Sequence, residues 1–182
     1  MPKHNKPNRG SMAFSPRKRA RSETPHISSW TTSEEPKVLG FAGYKVGMSH
    51  IMAVDYRKKS TTAGQEVRMP VTVVEVPPME VVAARGYVKD TYGLRTLTEV
   101  WDKKLDPELE RKIPIPKEHD AKSAWKKMKD GDLEEIRLLL HTQPKLVSGI
   151  PKKRPEIMEM AVGGGSVDEQ MKFAKDILGK EV

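Results

Sequence analysis

The chain has 182 residues, 36 % of them apolar and 32 % charged, and its formal net charge is +8. That length is enough for one domain with its own hydrophobic core and short for two. The absence of cysteine excludes disulfides and thiolate metal sites, and no apolar run reaches the roughly 18 residues that span a bilayer. The N-terminus is basic but lacks the apolar stretch of a signal peptide, so we expect a soluble cytoplasmic protein.

The first 36 residues predict an extended basic arm. Five prolines and no hydrophobic period leave this segment too little apolar surface to offset its ordering entropy. Seven of the 33 Lys and Arg residues lie within residues 1–22, which contain no Asp or Glu, and the rest of the chain has 26 basic and 25 acidic residues. The seven cations are Lys3, Lys6, Arg9, Arg17, Lys18, Arg19 and Arg21.

A cationic arm on a nearly neutral body is typical of proteins that bind a polyanion. Arginine and lysine neutralise phosphates and release condensed counterions. Folded RNA fits better than a DNA operator, because the sequence contains no helix-turn-helix or zinc-finger pattern. A solvated basic tail or a localisation signal is the alternative interpretation.

Residues 37–101 are predicted to be mainly β-strand. Residues 38–56 have the pattern of two short strands around a glycine-rich bend, and 57–66 that of a polar loop. Residues 67–88 are rich in valine and are broken by Pro77-Pro78, which predicts two strands. A further strand is expected at 91–101.

Helix signals begin after Trp101. Asp106 followed by Pro107 predicts a short helix, and Asp120 caps a second candidate that ends at Gly131. Ser166 and Glu169 have the spacing of a capping box. That box predicts a last helix, with Gly179 as its stop. Residues 134–143 fit a buried strand or a helix end, and residues 156–162 alternate like a strand.

No pattern in the chain predicts catalysis or a bound metal or cofactor. The five histidines lack the H-x-x-x-H spacing, and there is no G-x-S-x-G elbow. The glycines at 163–165 precede Ser166 without the lysine of a phosphate-binding loop, so a strand-to-helix turn is the better interpretation. Two basic clusters, 57–59 and 152–154, lie in predicted loops, where charge runs are usually solvated surface.

Several long segments resemble one known family. RGSMAFSPRKRAR (9–21), GFAGYKVGMSHI (40–51), PVTVVEVPPMEVVAARGY (70–87) and MEMAVGGGSVDEQMKFAKD (158–176) are similar, in this order, to the archaeal and eukaryotic branch of the large-subunit ribosomal protein family L-three. The resemblance implies an α+β fold with three parts. These are an extended basic RNA-binding arm at 1–36, the first part of a translation-protein-type β-barrel at 37–101, and an α/β insertion at 102–182.

The resemblance also implies a function. A family member is a structural constituent of the large ribosomal subunit that binds large-subunit ribosomal RNA, supports assembly near the peptidyl transferase centre, and contacts neighbouring ribosomal proteins. It is not an enzyme, has no cofactor and binds no membrane. By position, the expected RNA contacts are the seven arm cations and Lys45, with Lys152, Lys153 and Arg154 added once RNA binding is accepted.

The sequence departs from the family in its length. Family members of this branch are nearly twice as long, and their second half completes the barrel and carries a basic finger. Three explanations remain open: a fragment or frameshift product, one half of a split protein that joins a second chain, or a truncated form that folds differently. The alternative function is therefore a fragment that binds RNA loosely and needs a second chain to complete its fold.

Overall fold

A computed structural model describes residues 10–116 and 119–182. These residues form a mixed structure of antiparallel strands and helices, so the prediction of an α+β fold is confirmed. The strands are β1 (Lys37–Val38), β2 (Tyr44–Val54), β3 (Glu66–Glu75), β4 (Glu80–Asp90), β5 (Gly93–Trp101), β6 (Glu135–His141) and β7 (Ile157–Gly163). The α-helices are α1 (Ala121–Asp130) and α2 (Val167–Ile177), and short 3-10 helices lie at Met12–Phe14, Pro107–Arg111 and Pro144–Leu146.

A five-stranded antiparallel sheet is the centre of the fold, with the strand order β1-β7-β6-β4-β5. Its central strands β4 and β6 are buried along most of their length. The apolar run of β6 fitted both a strand and a helix end, and the structure shows a strand because the run pairs with β4 on one side and β7 on the other. The sheet thus combines strands from both sides of residue 101.

Both helices pack on one face of this sheet. Helix α1 contributes Ala124 and Met128 to the core, and α2 contributes Met171 and Ala174. The predicted caps are confirmed: the Asp120 side chain accepts the Ser123 N–H, and Ser166 and Glu169 form a reciprocal capping box. These caps fix where each helix begins and so which side chains reach the core.

The opposite face of the sheet is covered by the segment that follows β5. Leu109, from the 3-10 helix that Asp106 caps, is fully buried against Val82, Ala83 and Leu139. The burial of this second, smaller cluster holds residues 102–116 on the sheet.

Strands β2 and β3 form a separate two-stranded ribbon. Residues 39–43 separate β1 from β2, as the glycine-rich bend predicted, but β2 is a long strand of 11 residues because Gly47 lies at a bulge within it. The residues that the structure describes form a sheet and a ribbon but no closed barrel. Pro77 and Pro78 lie between β3 and β4, as predicted.

Candidate nucleic-acid interface

The outer part of the arm presents cations to solvent. Arg17, Lys18, Arg19 and Arg21 are all exposed, and no acidic residue occurs between Gly10 and Ser22. A 3-10 turn capped by Ser11 holds Met12 and Phe14 outward, at 83 % and 74 % exposed. The arrangement offers cations for phosphates and an aromatic ring for a base. The predicted contacts Lys3, Lys6 and Arg9 lie outside the described residues.

The inner part of the arm lies on the body. Glu23 Oε2 is 2.6 Å from Lys152 Nζ, and Trp30 packs against the main core cluster. Glu23 also lines a cavity of about 300 Å³ together with Phe41 and Tyr44. No pattern in the sequence predicts this docking, because its anchors are single residues without a period.

The glycine run after β7 makes that docking possible. A Cβ at Gly163 would come within 2.6 Å of Leu39 Cδ2, and a Cβ at Gly164 would overlap the carbonyl oxygen of Glu35. Gly164 also has a φ of +82°, which L side chains rarely adopt. The run is therefore a strand-to-helix turn, as the capping box predicted, and the arm backbone lies against it, which was not predicted.

The other predicted contact residues differ in their surroundings. Lys45 is exposed on β2, and Lys153 and Arg154 are exposed in the loop before β7. Lys152 is partly buried, which acts to lower its pKa, but hydrogen bonds from its ammonium to Glu156 and Glu23 raise the pKa overall. Lys152 is thus paired with two carboxylates, whereas Lys153 and Arg154 form no ion pair with any of the described residues.

An ordered loop joins β2 to β3, and a buried carboxylate organises it. The Asp55 side chain is almost fully buried and accepts hydrogen bonds from Arg57 Nε (3.0 Å), Arg57 Nη2 (3.1 Å), the Arg57 backbone N–H (3.0 Å) and the Thr62 hydroxyl (2.8 Å). The hydrogen bonds from Arg57 hold the pKa of Asp55 far below its usual range. The basic run 57–59 is evident in the sequence, whereas the role of the acid that fixes it is not.

Several charged side chains on the sheet form ion pairs with one another. Arg85 Nη2 lies 2.7 Å from Glu99 Oε1, and Arg137 Nε lies 2.9 Å from Glu135 Oε1. The Tyr87 hydroxyl donates to Glu159, and Arg137 stacks over the Tyr87 ring. These arginines are occupied within the fold, so they are poor candidates for RNA contacts.

Glu80, Asp106 and His141 bring three possible metal ligands within 4.8 Å of one another. Their atoms already have partners within the protein. His141 Nδ1 is 3.1 Å from the Thr142 carbonyl oxygen, and its Nε2 is 3.1 Å from Glu80 Oε2. Asp106 accepts the Glu108 N–H and, at 3.3 Å, the Lys145 ammonium, which a metal ion would have to displace. The cluster is therefore explained as a set of polar contacts that joins β4, β6 and the 3-10 helix at Pro107–Arg111.

None of the helices in the described ranges is long and apolar enough to cross a bilayer.

Comparisons with known proteins identify the family. The sequence model of the family described as "Ribosomal protein L3" matches residues 1–182. The "Large ribosomal subunit protein uL3" of Methanoregula boonei is 50 % identical over 187 residues, covering 100 % of this chain and 56 % of the relative. The proteins of the same name from Methanosphaera stadtmanae and Haloarcula marismortui are 49 % and 45 % identical, covering 100 % and 98 % of this chain and 55 % and 54 % of the relatives.

Each of these matches covers nearly the whole of this chain. The chain spans about half the length of the curated relatives it matches. The descriptions name ribosomal proteins and no enzyme, which agrees with the prediction of no catalysis. These matches confirm the resemblance that was inferred from the sequence motifs, and this chain belongs to the ribosomal protein L3 family.

Proposed function

We propose that the chain is a structural constituent of the large subunit of cytoplasmic ribosomes, where it binds large-subunit ribosomal RNA and supports assembly near the peptidyl transferase centre. The observation that carries this proposal is the outer arm. Its four described cations project from the body with no acidic residue among them. The curated relatives are named as large-subunit proteins, which supports the same role.

In this proposal residues 1–36 are the principal RNA-binding element. Its cations neutralise phosphates, and each planar guanidinium group can donate two hydrogen bonds to one phosphate. These cations are Lys3, Lys6, Arg9, Arg17, Lys18, Arg19 and Arg21. Met12 and Phe14, which no part of the described fold covers, pack among RNA helices. Lys45, Lys153 and Arg154 are secondary contacts, and Lys152 helps by anchoring the arm through Glu23.

Within residues 37–101, which we propose to be a partial β-barrel followed by an insertion at 102–182, the β2–β3 ribbon is the part that lies outside the five-stranded sheet. Directly opposed residues share a face of a ribbon, so the pairs Ile51–Met69 and Ala53–Val67 extend one apolar face. Ile51 and Met69 remain about half exposed. The relatives are nearly twice as long as the matched region. Strands from that remaining length, or from a second chain, would cover this face and close the barrel.

Association with the large subunit tests the proposal. The full chain, carrying an affinity tag and expressed in a methanogen, should sediment with the large subunit through a high-salt wash, whereas a chain without residues 1–22 should be washed off. If the full chain is also washed off but still binds purified ribosomal RNA, the alternative of a loosely binding fragment is supported. Neighbouring ribosomal proteins should crosslink only to the retained form.

A further inference from the structure

The loop between β2 and β3 has more internal hydrogen bonds than a solvated turn needs. Five backbone hydrogen bonds lie within it, and two of them join its two ends: Asp55 N to Gln65 O at 3.1 Å and Gly64 N to Asp55 O at 2.8 Å. The Asp55 carboxylate adds the hydrogen bonds from Arg57 and Thr62 described above. A loop ordered before binding loses less conformational entropy when it binds.

The four residues 56–59, at the start of this loop, are all exposed. Tyr56 is 87 % exposed, so its ring is accessible to a ligand. Lys58 and Lys59 are exposed beside it. An aromatic ring on which a base can stack, placed next to cations that neutralise phosphates, is the combination with which proteins bind unpaired nucleotides.

We propose that the loop at residues 55–65 is a second RNA-binding site, in which Lys58 and Lys59 contact phosphates and Tyr56 stacks on an exposed base. The site rests on the proposed function, because it takes the same class of ligand as the arm. RNA is favoured over an acidic protein surface because the relatives are named as ribosomal proteins of the large subunit.

Asp55 and Arg57 are positioning residues in this site. Both oxygens of Asp55 hold the Arg57 guanidinium, at 3.0 Å and 3.1 Å, so the fork of Arg57 is already occupied. The Arg57 backbone N–H is held by the same carboxylate. This clamp fixes the backbone immediately before Lys58 and so sets the direction of both lysines.

Equilibrium titration of the full chain against deproteinised large-subunit RNA from a methanogen, over 50–200 mM salt, tests the site. Lys58→Ala with Lys59→Ala should lower the magnitude of the slope of log affinity against log salt by about 1.4–1.8, because each phosphate contact contributes roughly 0.7–0.9. Tyr56→Ala should weaken binding about 5-fold to 150-fold without changing the slope, which is the effect of one lost stacking contact of about 1–3 kcal/mol. Tyr56→Phe should restore most of that affinity.

Asp55→Asn separates positioning from simple charge. It removes a negative charge, so electrostatics alone predicts tighter RNA binding, whereas loss of the clamp predicts weaker binding. The matched control is Lys103→Ala with Lys104→Ala, which removes two adjacent exposed lysines from another loop and should leave the slope unchanged. Far-UV circular dichroism verifies that each variant is folded.

The outcomes distinguish this site from the arm. If the loop variants bind like the Lys103/Lys104 control while arm variants lose affinity, the second site is wrong and the proposed function stands. Tighter binding by Asp55→Asn would also overturn the positioning role. Failure of the unaltered chain to bind this RNA would refute both proposals.

Discussion

Gly164 gives the sharpest test of how the arm joins the body. Its φ is +82°, and a Cβ there would overlap the Glu35 carbonyl oxygen and come within 2.8 Å of the Ser33 carbonyl oxygen. Both obstacles are backbone atoms, which cannot rotate away as a side chain can. Gly164→Ala should therefore push residues 33–35 off the turn between β7 and α2.

The chain offers a matched control for the magnitude. Gly149 has the same φ of +82°, and a Cβ there would meet nothing within 4 Å. Gly149→Ala should cost only the backbone term of roughly 1–2 kcal/mol for an L residue in this region. Gly164→Ala should cost about 1–3 kcal/mol more, the usual penalty for forcing atoms into a packed site.

Thermal unfolding of the full chain, monitored by far-UV circular dichroism, measures both the backbone penalty and the added steric penalty. For a chain of this size about 1 kcal/mol corresponds to roughly 2–4 °C in Tm. Gly164→Ala should therefore unfold about 2–12 °C below Gly149→Ala. Equal Tm values for the two variants would refute the docking of the inner arm against this turn.

Three further predictions concern the body, each measured by thermal unfolding of the full chain. Met128→Ala, at a fully buried position of α1, should destabilise by about 2–5 kcal/mol, whereas Met12→Ala on the exposed arm should leave Tm unchanged. Ser166→Ala should cost about 1 kcal/mol through the lost capping box, and a cost near zero would contradict the cap. The folded-state pKa of Asp55 lies below its unfolded value near 4, so its stabilisation is complete well above that pH, begins to fall below it, and is fully lost once the pH is below the folded pKa. The Tm gap between the unaltered chain and Asp55→Asn should therefore shrink from pH 7 to pH 3, and a constant gap would contradict the prediction.

Local signals in the sequence predicted most of the secondary structure. Asp120 and Ser166 predicted where the helices begin, because a short polar side chain just before an amphipathic run commonly accepts a hydrogen bond from the first turn of a helix. Pro77 and Pro78 fixed a strand break because proline cannot donate to a ladder. These signals depend on neighbours in sequence and so need no tertiary context.

Features that depend on distant neighbours could not be predicted. The three consecutive leucines at 138–140 have no period that separates a strand from a helix, so β6 could not be assigned until its pairing with β4 and β7 was known. Asp55 is one acid beside a basic run, and only the turn of the chain brings it to Thr62. The docking of Glu23 on Lys152 joins residues 129 positions apart. The division of the chain at residues 36 and 101 stays a prediction.

The central claim is that the arm binds large-subunit RNA through its cations. The direct measurement is the salt dependence of RNA binding for the full chain and for a variant with Arg17, Lys18, Arg19 and Arg21 all changed to alanine. Four lost phosphate contacts should lower the magnitude of the slope by about 3. The matched control changes four exposed lysines of α1 to alanine, at Lys122, Lys126, Lys127 and Lys129. A slope that falls by about 3 only in the arm variant supports the account, and an equal slope in both variants would contradict it.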